Sequence, residues 1–423
     1  MNDIGFLIKE ERIKQDMKQS TLAKGICSVS YLSKIENNTS KASQEVIALL
    51  LKRLDIAIDS LETPSIEEEK KIQEDLLTIY KELTINKDKK YAKEKIKCIQ
   101  DQFTSLSASS SLLIYKNLVL LRLFLTLNDK DNCGKYLKWL LSIDDRLDDF
   151  QQYLLFKLQA IYYYQNLDIK KSIFFLNKIN EKNFSISLAE EADLHFISGM
   201  IYMADHEVIK AIESINTALH YFTSHFYMAR AVECYICLGI CYKNANWLRK
   251  AQDSYSLAIK ITNELQLDQF KGIIYHNLGV LYSAQNDSEK AIEYFKKSIQ
   301  HKNDDTKKIV SVLYILKELS KNGYPSHQEE LKNWILFVES ILNPSNIRYQ
   351  EYKYHLTMFK GLLDQKFNEK NVKESLAFFK EKHDHKNFSY YSNMYGGYLY
   401  KNGQYKAAAE YFQQAYLSRV NGQ

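Results

Sequence analysis

The chain has 423 residues, 45% of them hydrophobic and 26% charged, so it can bury a large core and is not a disordered polymer. A net charge of +5 excludes a nucleic-acid surface spread over the whole molecule, and any basic footprint must be local. Six cysteines in so long a chain make no disulfide framework, and with only 3 prolines and 13 glycines long helices are favoured over hairpins.

The opening MNDIGFLIKEERIKQ is charged and amphipathic, without the apolar run of a secretory signal. Ile4, Leu7, Ile8 and Glu11 recur at helical spacing and predict a first helix over 4–15. Leu22 and Ala23 face inward on a short second helix, and Gly25 supplies the turn that follows. Ser28 is placed to cap a third helix by accepting a backbone N–H, and Val29, Leu32 and Ile35 form its apolar stripe. Ser43 caps a fourth helix, EVIALLLKRLDI, which completes a small bundle.

Two helices joined by a short glycine-containing turn make the helix-turn-helix pattern, whose second helix enters the major groove. The stretch KQSTLAKGICSVSYLSKIENN resembles the class typified by phage lambda repressor and Cro, with Gln19 opening the second helix and Ala23 and Gly25 at the small positions. That resemblance implies DNA contacts from Gln19, Ser28, Ser30, Tyr31, Ser33 and Lys34, with Asn37, Asn38 and Lys41 near the phosphates.

Residues Asp59 to Lys71 carry one of the three prolines and a run of charge, as a linker would. The expected organisation is a DNA-binding domain over 1–60, a linker over 61–71 and a second domain over 72–423. Leu112 to Leu127 comes nearest to a membrane span, but Lys116 and Arg122 interrupt it, so a soluble, cytoplasmic protein that engages no membrane is expected.

Beyond the linker a pattern recurs. Gly199, Gly239 and Gly279 stand 40 residues apart, each followed by a tyrosine (Tyr202, Tyr242, Tyr282) and an alanine (Ala211, Ala251, Ala291) at matching offsets. The last copy has Gly396, Gly403, Tyr405, Ala408, Phe412 and Ala415. The pattern resembles the tetratricopeptide repeat, in which small residues let two helices approach and large ones fill the gap opposite. The period exceeds that family's 34 residues and implies extended helices or connecting turns. The fold expected is all-α: the helix-turn-helix, then a right-handed superhelix of about nine repeats between residues 66 and 419.

The first helix of each pair would line a concave groove suited to an extended peptide. In the repeat register that wall includes Lys157, Tyr164, Gln165, Glu233, Lys243, Asn244, His276, Asn277, Ser283, Asn393 and Tyr400. Asparagines there can hold a peptide backbone, and Lys157, Lys243 or Arg122 can take a carboxylate.

Catalytic and metal chemistry is not expected, and no cofactor is implied. Cys234, Cys237 and Cys241 fall inside a repeat helix, where cysteine packs as a small apolar residue. His383 and His385 are alternate residues and point apart on a helix. There is no glycine-rich phosphate loop and no metalloprotease motif.

Taken whole, the chain resembles the peptide-sensing transcription regulators of Gram-positive bacteria, the group of PlcR, PrgX, NprR and Rap, and most of all the NprR branch. The resemblance implies a receptor for a short, re-imported quorum-sensing peptide, which shifts dimer or tetramer formation and binding to double-stranded DNA. It also implies a second role, binding a response regulator of the sporulation phosphorelay when peptide is absent. The alternative is an interaction scaffold or response-regulator inhibitor in which the helix-turn-helix is secondary.

Overall fold

The structure, a computed structural model, describes residues 4–56, 63–86, 88–104, 106, 108–182, 184–321 and 327–421. Four short helices open it: α1 (Ile4–Lys14), α2 (Gln19–Ala23), α3 (Val29–Glu36) and α4 (Gln44–Arg53). Longer helices follow: α5 (Ile66–Ile85), α6 (Lys89–Gln102), α7 (Ser110–Leu127), α8 (Lys130–Leu141), α9 (Asp149–Gln165) and α10 (Ile169–Lys182). Next come α11 (Leu188–Ala204), α12 (Val208–Ser224), α13 (Met228–Asn244), α14 (Leu248–Glu264), α15 (Lys271–Ala284) and α16 (Ser288–Gln300). The chain closes with α17 (Asp305–Leu319), α18 (Gln328–Ile341), α19 (Tyr349–Leu363), α20 (Glu369–Glu381), α21 (His385–Lys401) and α22 (Tyr405–Asn421). Among the described residues α5 to α22 make nine successive pairs in chain order, the number expected. Of the expected linker, 61–71, the first two residues lie outside the described residues. Its remainder is helical from Ile66, where Ser65 and Glu68 cap each other's backbone in a capping box.

The 40-residue period has a simple origin. Helices α11 to α14 are each 17 residues long, well beyond what a 34-residue repeat can hold. Their turns each place one residue in the left-handed region: His206, Phe226, Asn246, Gln266 and Asn286, at φ 55° to 63°. None is a glycine, so the turns carry little of the usual sequence signal. Glycine is kept for close approach instead. A Cβ at Gly199 would lie 2.4 Å from Ile215, and one at Gly279 2.6 Å from Phe295.

The chain divides into two compact units, residues 1–245 and 246–423. In the first, Ile8, Leu22, Ala23, Leu32, Ile35, Leu50, Leu51 and Leu54 form the small core of the N-terminal bundle. Phe6, Leu7 and Ile13, from the same α1, belong to a second core with α5 and α7 to α10. Helix α1 is therefore buried on two faces, one in each core. Helix α7 is long and apolar enough to cross a membrane, but it is the central core helix of this unit and both its cations are ion-paired. The second unit has its own core, centred on Phe295, Tyr352, Phe359, Phe379 and Tyr391.

Candidate DNA-reading module and ligand cleft

Within the N-terminal bundle, Gly25 turns the chain at φ 73°. Ser28 accepts the N–H of Tyr31 at 3.1 Å, capping α3. Leu32 and Ile35 are buried, whereas Val29, expected in the same stripe, is 44% exposed. The outer face of α3 presents Ser30 and Lys34 to solvent, with Tyr31 and Ser33 half-buried beside them. The Tyr31 hydroxyl reaches the Lys41 carbonyl at 3.3 Å.

Three residues assigned to DNA have internal duties. Glu36, wholly buried, receives both Nε and Nη2 of Arg12 at 2.6 and 2.8 Å, and the Gln19 amide donates to the same carboxylate at 2.8 Å. Gln19 thus completes the satisfaction of a buried charge, which commits its NH2 group. Asn38 sits at φ 51°, and its Oδ1 accepts the N–H of Gly5 at 3.1 Å. Asn37 Oδ1 accepts Lys9 Nζ at 2.9 Å, and that ammonium also donates to the Ser142 carbonyl at 3.0 Å. The paired asparagines fasten the end of α3 to α1 and, through Lys9, to the end of α8.

The second face of α1 is held by charge as well as by apolar packing. Glu10 and Lys116 of α7 pair at 2.6 Å, with side chains 1% and 4% exposed, and Lys14 joins Glu10 at 2.9 Å. Burial opposes ionisation of Glu10, but Lys116 and Lys14 outweigh it and hold the carboxyl below its ordinary range. Phe6 meets Trp139 edge to face at 6.2 Å. Lys116 entered the sequence reading only as an interruption of an apolar run and Glu10 not at all, since a charged residue at such a position reads as solvated surface.

The groove residues are scattered, and several are corrections. Arg122 and Lys157 do not face a ligand: both are buried against Asp193, at 3.2 and 2.8 Å, and Lys157 also meets Glu190 at 2.7 Å. Arg230 of α13 joins the same carboxylate at 2.9 Å and pairs with Glu233. One aspartate of α11 thus ties α7, α9 and α13 together, and Tyr80 of α5 covers Arg122 and Lys157 with its ring. Three cations face three carboxylates, as full burial demands. Gln165 donates to the Leu125 carbonyl in the last turn of α7 at 3.0 Å. His276 is half-buried between Phe295 and Tyr314, bonded to Ser311 at 2.9 Å, and burial pushes its pKa down to about 3. Ser283 is likewise taken, by Glu318. Lys243 and Asn277 are half-buried and Asn244 is exposed. Tyr400 is 58% exposed, edge-on to Tyr405.

Asn393 lines a cleft of about 840 Å³ within the second unit. Its walls are Leu362, Gln365 and Phe367 after and on α19, then Tyr390, Asn393, Met394, Gly397, Tyr398 and Lys401 along α21. Ser320, Lys321, Asn402 and Arg419 complete it. The α21 residues recur every three or four positions, so this face was legible as one helical stripe. It was missed because no cue in the repeat register singled it out from the other first helices.

Residues 8–61 match the helix-turn-helix family and residues 273–305 the tetratricopeptide repeat. Over 408 residues the chain is 28% identical to the transcriptional activator NprA of Geobacillus stearothermophilus, covering 93% of this chain and 98% of that protein. The chain is similar in its two-part organisation to the NprR-like helix-turn-helix and tetratricopeptide regulators. The fold of the chain agrees with that of the apo form of the quorum sensor NprR from B. thuringiensis, at a TM-score of 0.65 and 16% identity over 84% of this chain and 99% of that one. A structure of NprR in complex with its cognate peptide NprX gives 0.59 at 16% identity, over 83% and 99%.

Proposed function

We propose that the chain is a cytoplasmic, peptide-gated transcription regulator. Its array binds a short signalling peptide, and the bound array alters how the α3 faces of two associated copies address double-stranded DNA. The observation that carries this reading is the double burial of α1. One face belongs to the core of the DNA-reading bundle and the other to the core of the array, so a rearrangement of α7 and α8 must move α3. The likeness to a transcriptional activator along nearly the whole chain supports the same reading. Gating requires that peptide favour one assembly state over another, since equal affinity for both would shift nothing. Two-fold association would give palindromic half-sites about one helical turn apart.

The test is capture of genomic DNA fragments by the purified full chain, with and without the low-mass fraction of spent culture medium. Discrete fragments whose capture depends on that fraction are expected. Specific capture that ignores the fraction would leave a constitutive DNA-binding protein, and no specific capture in either condition would leave an interaction scaffold.

A further inference from the structure

The cleft in the second unit is unbalanced in charge. Lys321, Lys401 and Arg419 line it and no carboxylate does. Lys321 is neutralised by Glu318 at 2.7 Å. Arg419 reaches Ser389 through Nε at 3.0 Å, and among the described residues neither it nor Lys401 meets a carboxylate. Behind the wall stands another cation, Lys317, whose ammonium donates to Asn387 at 2.7 Å over the rings of Tyr314 and Tyr390. Burial pushes its pKa down to about 8, the mark of a charge held with too little compensation.

A glycine supports the same conclusion. Gly396 is required by the fold, because a Cβ there would come 2.8 Å from the ring of Phe412. At Gly397 a Cβ would meet nothing within 4 Å, yet glycine in a helix interior costs roughly 1 kcal/mol relative to alanine. Packing gives no reason for that residue. Its effect is to leave the floor of the cleft open, between an apolar wall of Phe367, Met394 and Tyr398 and the amide of Asn393.

We infer that this cleft takes an acidic short peptide, its carboxylate held by Lys401 and Arg419 and an apolar side chain laid against Phe367, Met394 and Tyr398. The inference rests on the reading of the array as a peptide receptor, and it names the class of peptide. Asn393 offers a donor and an acceptor to the peptide backbone. A guanidinium and an ammonium converging on one carboxylate give charge-assisted bonds, roughly twice as strong as neutral ones.

The experiment uses the full chain and three heptapeptide pools, each member carrying one Leu or Phe. The first pool adds one Asp or Glu, the second has Asn or Gln at that position, and the third has Lys. Peptides retained on ultrafiltration are read by mass spectrometry. Retention of the acidic pool about threefold to tenfold above the amide pool is expected, since Lys401 and Arg419 are both solvent-exposed and two such pairs to one carboxylate each add a modest factor. Lys401→Gln with Arg419→Gln should erase that preference. Gly397→Leu should abolish acidic-pool retention with the thermal transition unchanged or raised; should it unfold the chain, the double variant carries the test alone. Equal retention of the acidic and amide pools by the wild type would overturn the inference, as would an acidic preference that survives the double variant. Retention of no pool at all would overturn the peptide-receptor reading beneath it.

Discussion

Glu10 in the first helix of the DNA-reading bundle and Lys116 in the central helix of the array, 106 residues apart, form one buried ion pair. The pair stands beside Phe6, Leu7 and Ile13, which α1 contributes to the array's core. A helix-turn-helix tethered by a linker alone would sample many orientations, and two copies would then read half-sites at variable spacing. Here the array fixes the orientation of α3.

Removing one member of this pair strands the other. Glu10→Gln should cost about 3–5 kcal/mol, while Glu10→Leu combined with Lys116→Met should come out near neutral, because no charge is left buried. Thermal denaturation of the wild type, Glu10→Gln, Lys116→Met and the Glu10→Leu/Lys116→Met double decides it, and single-variant losses that simply add up in the double would sink the idea. The acid dependence has a definite sign. Glu10 is held below its ordinary 4.5, so its contribution is complete above that pH and is lost as the pH falls through the lower folded value.

Asp193 meets three cations from three helices, and its replacement should be harsher. Asp193→Asn keeps the shape and removes the charge that Arg122, Lys157 and Arg230 share. A loss above about 3 kcal/mol is expected, with faster amide exchange across α7, α9 and α13 together. Exchange confined to α11 would show that the aspartate does not join the repeats energetically.

On the DNA-reading face, Ser30→Ala with Lys34→Ala should abolish specific binding and leave peptide retention intact. Lys34→Gln alone should lower the slope of log affinity against log salt by about 1 if it neutralises one phosphate. Asn38→Ala should act otherwise, lowering stability by about 1 kcal/mol through the lost bond from Gly5. Gel-shift titrations at several salt concentrations, run beside melting curves, separate the two behaviours.

The contrast between Ser30 and Asn38 shows where the sequence was legible. Capping, turn glycine and periodicity are local, so Ser28, Gly25 and the repeat spacing could be read without the fold. Partners 17 to 33 residues away decide whether Asn38, Asn37 or Gln19 faces DNA or the interior, and no local pattern encodes them. Charge misled for the same reason: Arg122 and Lys157 looked like ligand contacts because their counter-ions, Asp193 and Glu190, lie in a different repeat. Asn393 was found and Lys401, two turns along the same face, was not; only the cleft makes them neighbours.

Lys317 offers a last test, because stability and ligand affinity should oppose each other there. Its folded pKa of about 8 lies below its ordinary 10.5, so the folded chain binds the proton less tightly than the unfolded one. Between those values the unfolded state holds more protons, and stability therefore rises with pH across the window; below about 8 the penalty is present in full. Lys317→Met keeps the aliphatic stem over Tyr314 and Tyr390 and removes the charge. The variant should melt above wild type at pH 7, with the gap narrowing as the pH rises from about 8 to 10.5. A gap independent of pH would mean that packing, not charge, sets the difference. The same substitution takes a positive charge from behind the cleft, so it should weaken retention of acidic peptides while stabilising the fold. A cation kept at a cost in stability, beside a cleft without a carboxylate, makes sense if an anion is what the cleft receives.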